Sequence, residues 1–363
     1  MGIVIKKLKK NEIAAFKEKI DNNKYISEYS PFSDGTIDEF EWQFFNSTGD
    51  NALYFVAEDE IDNEIIGTMA ALIIPMKMPD ESIELTIKPE DVLVSIKGVM
   101  KYKGIDILKE LLDTIERETE SKKIKFYWGF TEAVVAFERI GFSNEFSSQQ
   151  GILVFKPFKA YDHLKTLNSL NKYKQKILIF GLSVFSYIKV IIVRKTIKSL
   201  RCEKILFEDL NESILLSFLP KKVCSIYLNM EFLRWRIIEN PSKIKYHLLQ
   251  IINSVNEIIS YLIYSEKQEG VFFIEQFLFK ESLFLKQKKE AAMVAVNFLG
   301  RQKAIIIRTM GFTHNNINKE ECEILNSIGF IYVKKGIPFI LKSKFEIKSE
   351  DIYLSRLNTQ GTF

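Results

Sequence analysis

The sequence predicts an α/β fold of two tandem units, each a mixed sheet with crossover helices. Three observations predict it. Strand-like runs alternate with amphipathic helical ones. FEWQFFNSTG at 40–49 recurs in outline as FLRWRIIENP at 232–241, each followed by a hairpin pattern. Ile140-Gly141-Phe142 recurs as Ile328-Gly329-Phe330. Matches kept in the same order argue for an internal duplication. The chain has 363 residues, 47% of them hydrophobic, which suits two ordinary domains. The reading places them at 1–158 and 201–363, with a helical connector over 159–200.

The elements follow in order. Ile13, Ala14, Phe16 and Ile20 give 11–21 a helical pattern. ALYFVA at 52–57 and EIIGTMAALIIP at 64–75 are strands joined by a polar turn. DVLVSI at 91–96 is a third strand. In 106–123 the apolar residues Ile107, Leu108, Leu111, Leu112 and Ile115 fall on one helical face. Residues 124–129 read as a strand, and 133–140 as a helix that Gly141 closes in a left-handed conformation. A strand at 151–158 completes the unit. The second unit repeats the hairpin as YHLLQIINSVNEIISYLIYSE and continues with a strand over 271–279 and an intact helix.

The connector holds ILIFGLSVFSYIKVIIV at 177–193, interrupted by Lys189. It falls short of the roughly 20 apolar residues a membrane span requires. It therefore reads as a buried connecting helix. Contact with a membrane surface, helped by Lys172, Lys174 and Lys176 before it and Arg194, Lys195 and Lys198 after it, is the lesser alternative.

Composition excludes several classes of function. The 51 basic and 47 acidic residues leave a formal charge of +4, too small an excess for a nucleic-acid partner. Cys202, Cys224 and Cys322 form no CxxC pair, and His163, His247 and His314 are scattered. No disulfide framework or metal site is expected, and a cytoplasmic location is. Residues 1–10 are short and basic, and carry no signal-peptide pattern.

The segment VMKYKGIDILKELL at 99–112 carries the most chemical information. A basic turn with one glycine precedes an amphipathic helix. The free amides of a helix start, the positive end of its dipole and a glycine permitting close approach can hold a diphosphate. Lys101 and Lys103 add charge. For transfer to an amine, a base must remove a proton. Glu90 and Asp91, at the start of the strand, are the first candidates, with Glu84 and Glu132 behind them. A solvated strand entrance and a lysine-rich surface turn are the plainer readings of these residues. Trp42 and Trp235 read as core.

Lys101-Tyr102-Lys103-Gly104-Ile105-Asp106 resembles the coenzyme A loop of GNAT acetyltransferases, where Arg or Gln precedes x-x-Gly-x-Gly/Ala. Lys101 stands for the Arg or Gln, and Asp106 for the small residue. FTEAVVAFERIGF at 130–142 resembles the family's Asn-x-x-Ala-x-x-x-Tyr-x-x-x-Gly-Phe stretch, with Phe130 and Phe137 at the Asn and Tyr positions. The order of motifs is similar to bacterial GNAT-like proteins associated with surface-polysaccharide or amino-sugar modification.

This resemblance implies an acyl-CoA (acetyl-CoA) N-acyltransferase. Glu90 or Asp91 would be the base, and backbone amides near Val94, Ser95 and Ile96 would polarise the thioester. The Lys101–Asp106 turn would hold coenzyme A. Phe137 leaves the usual general-acid position without a proton donor. The second unit lacks the loop glycine and reads as a degenerate, structural copy. The rival readings are a catalytically inactive tandem protein that binds a ligand or partner, and a tRNA-dependent aminoacyl transferase, against which the near-balanced charge argues.

Overall fold

The computed structural model of the chain describes residues 2–23, 35–46, 52–164, 172–193, 197, 199–333 and 336–359. The first elements are β1 (Ile3–Lys7), α1 (Ile13–Asn22), α2 (Ile37–Phe44), β2 (Ala52–Asp59), β3 (Ile65–Lys77) and β4 (Ile83–Val94). Then come α3 (Ile96–Tyr102), α4 (Gly104–Glu118), β5 (Phe126–Phe130), α5 (Val134–Arg139), β6 (Ser143–Ser147) and β7 (Gln149–Val154). Next are α6 (Pro157–Leu164), α7 (Lys172–Val193), β8 (Leu200–Ile205), α8 (Glu212–Leu216), β9 (Ser225–Ile226), α9 (Met230–Leu233) and β10 (Lys245–Asn253). The chain closes with β11 (Ile258–Gln268), β12 (Val271–Phe279), α10 (Leu285–Arg301), β13 (Ile306–Gly311), α11 (Asn316–Ser327), β14 (Ile331–Val333) and β15 (Pro338–Ser343).

These strands form two mixed sheets with one pattern. The first runs β1-β2-β3-β4-β5-β15-β6 and the second β14-β7-β13-β12-β11-β10-β8. In each, the hairpin strands pair antiparallel, one central pair is parallel (β4 with β5, β12 with β13), and an antiparallel strand follows it.

The contiguous boundaries expected at 158 and 200 are corrected. The strand expected to close the first unit, β7, lies in the second sheet, pairing Ile306 with Val154 through Gly311 with Gln149. The first sheet instead takes β15 from near the chain's end, pairing Phe339 with Phe130 through Ser343 with Phe126. Unit 1 is therefore Met1–Phe146, Ile226–Ser242 and Pro338–Lys348, and unit 2 is Ser147–Ser225, Lys243–Ile337 and Ser349–Phe363. A strand pattern reports which faces are apolar and carries no record of which sheet supplies the partner, so adjacency in sequence misassigned both strands.

Each unit packs one long helix on its sheet. In unit 1 all five apolar residues of the expected helix face are buried, against Phe55, Met69, Ala71 and Ile87. Gly67 allows that approach, because a Cβ there would sit 2.7 Å from Cγ2 of Ile107. In unit 2, Ala291, Ala292, Ala295, Val296 and Leu299 of α10 play the same part against Leu249, Leu262, Phe272 and Ile307. Burying a large aliphatic side chain contributes about 1.5–3 kcal/mol, so these two stripes anchor their sheets. Gly141 has the expected left-handed φ of 93°.

On the other face of β2, Tyr54 meets the rings of Phe16 from α1 and of Phe40 and Phe44 from α2. Trp42 of α2 and Trp235 of the helical segment Arg234–Ile238 also meet. Trp42 Nε1 donates to the carbonyl of Trp235 at 2.6 Å, and Trp235 Nε1 donates to that of Trp42 at 2.9 Å. Both are buried, as expected of core aromatics. Helix α7 departs from expectation: Ile177, Phe180, Phe185, Ile188 and Ile191 are exposed. Among the described residues no helix is long and apolar enough to cross a membrane.

Candidate functional site

The candidate site is built on β4 in unit 1. The strand begins earlier than expected, and two residues bend its far end. Thr68 faces Leu93 and Ala70 faces Glu90, so Asp91 and Val92 both stand opposite Met69 in a β-bulge. Asp91 takes a left-handed φ of 47°, a conformation Asp tolerates better than most residues. On the opposite edge β4 pairs in register with β5 only at Ile87 and Tyr127, and Lys125 N donates to the Leu85 carbonyl at 2.8 Å. Two residues along that edge comes Pro89, which has no N–H to continue the ladder. The parallel strands therefore lose their pairing beside the bulge.

Asp91 is half-buried. Its Oδ2 accepts a short hydrogen bond from Tyr54 Oη, and Oδ1 is sealed from solvent with no hydrogen-bond partner. Thr68 Oγ1 holds the Asp91 carbonyl at 2.8 Å, which fixes the bulge. Burial pushes the Asp91 carboxyl up to about 6, and the neighbouring Glu90 charge adds to the rise while the Tyr54 bond opposes it. Burial, and then Asp91 itself, raise the Tyr54 hydroxyl well above its ordinary range. A carboxyl tuned toward neutrality with one oxygen unengaged can accept a proton from a neutral-pH ligand.

Glu90 has a different environment. It is ion-paired with Lys88, which is buried, lies 5.8 Å from the Trp128 ring centroid and has its ammonium pKa lowered by burial. Arg236, also buried, lies 5.9 Å from the Trp42 ring centroid, and its Nε has no hydrogen-bond partner. Of the two expected carboxylates, Asp91 is thus the one with capacity to spare. Tyr54, Lys88 and Arg236 were not anticipated. Tyr54 needed the strand register to be placed next to Asp91, and Arg236 sits about 150 residues away in sequence. Glu84 lies opposite Met76 near the other end of β4, and Glu132 is exposed beyond β5.

The expected cofactor turn is only partly free. Residues 96–102 form helix α3, where a loop was expected. Ser95 caps it by accepting from Gly98 N at 3.0 Å, and Ser95 N donates to the Ile66 carbonyl at 2.9 Å, so that amide is engaged in structure. Val94 closes the strand opposite Gly67, and Ile96 is exposed on the first turn of α3. Lys101 is held 2.5 Å from the buried Asp59, whose carboxyl it keeps well below the usual range. Gly104 is spent on packing, because a Cβ there would meet Val99 Cγ2 at 3.0 Å and Val94 Cγ1 at 3.3 Å. Tyr102 and Ile105 border the apolar core. Lys103 and Asp106 remain exposed, Lys103 with a φ of 54°. Asp106 N already donates to the Lys103 carbonyl at 2.8 Å, so Lys103 and the amides of Gly104 and Ile105 are what this turn can offer a diphosphate. Phe137 is buried against Phe142, and Phe130 meets the Phe339 ring edge-on, so both act in packing.

Unit 2 repeats the bulge and closes it. Tyr264 faces Ile274 and Ile263 faces Gln276, leaving Glu275 as the extra residue. Both Glu275 oxygens accept from Arg356 Nη1 at 2.7 Å, and Ser265 donates to one of them at 2.5 Å. The buried segment around Arg356 is held further by Asn318 Nδ2 to the Leu354 carbonyl at 2.6 Å and Ser355 Oγ to Gln276 at 2.5 Å.

Solved structures share this architecture. A probable N-acyltransferase of unknown function from Enterococcus faecalis V583 superposes with a TM-score of 0.60 at 11% identity, covering 94% of this chain and 72% of its own. A GCN5-related N-acetyltransferase from Anabaena variabilis gives 0.58 at 9% identity, over 94% and 72%. Saccharomyces cerevisiae N-myristoyltransferase with bound myristoyl-CoA gives 0.58 at 10% identity, over 98% and 83%. The chain has a two-unit GNAT fold. No protein-family model and no curated protein matches its sequence. Within the GNAT fold, the bulged β4 and its parted neighbour β5 are the part of unit 1 where Asp91 stands.

Proposed function

We propose that this GNAT-fold protein is an acyl-CoA-dependent N-acyltransferase, acetyl-transferring, whose acceptor is a small amine such as an amino sugar of a surface glycan. The observation that carries the reading is Asp91: a half-buried carboxyl at a bulge, raised toward neutral pH, with Oδ1 unengaged beside two strands whose ladder has ended. When bound, the coenzyme supplies an activated acyl thioester. Asp91 is the base of this reading: Oδ1 is sealed from solvent in the free chain and must be uncovered for the acceptor nitrogen to give it a proton, while Tyr54 holds the other carboxyl oxygen. Lys103 and the amides of Gly104 and Ile105 are the groups that fit a diphosphate, the Asp106 amide being bonded to the Lys103 carbonyl. Lys101, already paired with Asp59, shapes the turn instead. The resemblance of solved acyltransferases supports the reading at the level of fold.

A second reading, an inactive protein that binds a ligand or partner, is favoured by one observation: Lys101 and Gly104 are both committed to internal contacts. Two measurements separate the readings. Thermal shift with acetyl-CoA reports binding by mass action. Thiol release from acetyl-CoA with a panel of amino sugars and alkylamines reports transfer. Release that needs the amine and is lost in Asp91→Asn supports the enzyme. Binding without release in every amine supports the inactive protein.

A further inference from the structure

Helix α7 of unit 2 carries large apolar side chains on its outer face. Ser183 and Ser186 point into the protein and are fully buried. Ser186 Oγ accepts from Val154 N at 2.9 Å and donates to the Gly329 carbonyl at 3.3 Å. The opposite face carries Ile177, Phe180, Phe185, Ile188 and Ile191, with exposures of 69, 47, 53, 47 and 53%. At 100° per residue these positions fill one continuous stripe, and the serines lie across from it. Helix α6 adds Phe158, 86% exposed, whose ring lies 5.7 Å from that of Phe180. Ordinary surface helices are arranged the other way, so this stripe is built to meet an apolar partner.

The surrounding charge says which partner. From His163 to Cys202 the sequence holds nine Lys or Arg and no Asp or Glu, leaving 42 basic against 47 acidic residues elsewhere. The basic excess of the protein is therefore concentrated on the segment that bears the stripe. A protein partner's apolar patch would not ask for one-signed charge, but an anionic bilayer does: its headgroups attract Lys and Arg while aromatic and aliphatic side chains enter the acyl boundary. Three lysines, Lys172, Lys174 and Lys176, open the helix, and Lys189 lies 5.0 Å from the Phe185 ring centroid.

We infer that α6 and α7 seat the protein on an anionic membrane surface, with α7 lying in the interface plane. The inference is independent of acyl transfer. Its test is co-sedimentation of the full chain with phosphatidylcholine vesicles, alone or with about one-third phosphatidylglycerol. The protein should pellet with the anionic vesicles, and added salt should weaken binding. Phe180→Ser and Ile188→Ser should each lower the partition coefficient roughly tenfold. Their melting temperatures should fall far less than a buried-core substitution would cause, because about half of each side chain is already exposed. Failure to pellet at any composition overturns the inference, as does binding that ignores both substitutions. A dimer in light scattering that Ile188→Ser dissociates, with vesicles ignored, also overturns it and assigns the stripe to a second copy of the chain.

Discussion

Asp91→Asn should make the protein more stable and less active, and both effects follow from one buried carboxyl. Burial raises Asp91 from 3.8 to about 6. A group whose folded pKa is raised contributes stability below its unfolded pKa, and that stability is lost as pH rises through the folded one. The shift of about two units corresponds to about 3 kcal/mol between the two limits. Above pH ~6 the wild type thus carries a desolvated anion that the amide variant lacks, while the amide oxygen can still accept from Tyr54. Urea denaturation near pH 7.5 should show the Asp91→Asn variant more stable by up to about 3 kcal/mol, and the advantage should vanish near pH 4.

Loss of a positioned base should lower amine-dependent thiol release by about 10²–10⁴-fold. A variant less stable than wild type at both pH values would show that the carboxylate is stabilised by its surroundings and not desolvated. Unchanged transfer would remove Asp91 from the chemistry altogether.

Other outcomes follow from the same geometry. Arg356→Met should be strongly destabilising, by about 3–5 kcal/mol, because it strands Glu275 as an unpaired buried charge; Glu275→Met with Arg356→Met should recover most of the loss in a urea double-mutant cycle. Lys101→Met should lower the melting temperature by leaving Asp59 without its partner, whereas Lys103→Met should leave the melt unchanged and reduce only the acetyl-CoA-induced shift. Trp42→Phe breaks one of two reciprocal indole bonds and leaves the Trp235 carbonyl without that donor, and should cost about 1–3 kcal/mol in urea denaturation.

Local periodicity made much of the fold legible. The stripe of Ile107, Leu108, Leu111, Leu112 and Ile115 is buried as read, the strand at 271–279 lies where its apolar run placed it, and Gly141 has the left-handed backbone expected of it. What stayed hidden depends on contacts between distant residues. Nothing in residues 149–154 distinguishes a strand that pairs with Phe126–Phe130 from one that pairs with Ile306–Gly311. The crossing is recorded only in space, where Ser148 and Ile337 bond to each other at the points where the two strands change sheets. The same limit hid Tyr54 and Arg236. The basic turn misled for another reason: a lysine beside a glycine states an available charge, and only the fold reveals that Asp59 already uses it. In α7, apolar composition reads as burial and the serines as the polar side, and only the fold shows that Ser183 and Ser186 face inward.

The shared pattern of the two sheets lets their acidic bulge residues be compared. Each sheet ends its parallel ladder at the central strand and inserts one extra residue next to the hairpin partner, and each time a bulge residue is acidic: Asp91 in one, Glu275 in the other. A bulge bends the strand and re-aims the side chain of the extra residue. In unit 2 the chain supplies the partner itself, a guanidinium held on both oxygens and stacked 4.2 Å from the Phe273 ring centroid. In unit 1 the cation on the same strand, Lys88, is drawn off by Glu90, and the Asp91 carboxyl accepts instead from a neutral tyrosine. Local ion pairing therefore breaks the symmetry of the repeat. In one copy the acid is neutralised internally, and in the other it is left with a neutral partner, a raised pKa and a buried oxygen without a hydrogen-bond partner. Exchanging those environments, by giving unit 1 a cation within reach of Asp91, should depress its pKa and remove the pH-dependent stability difference that Asp91→Asn exposes.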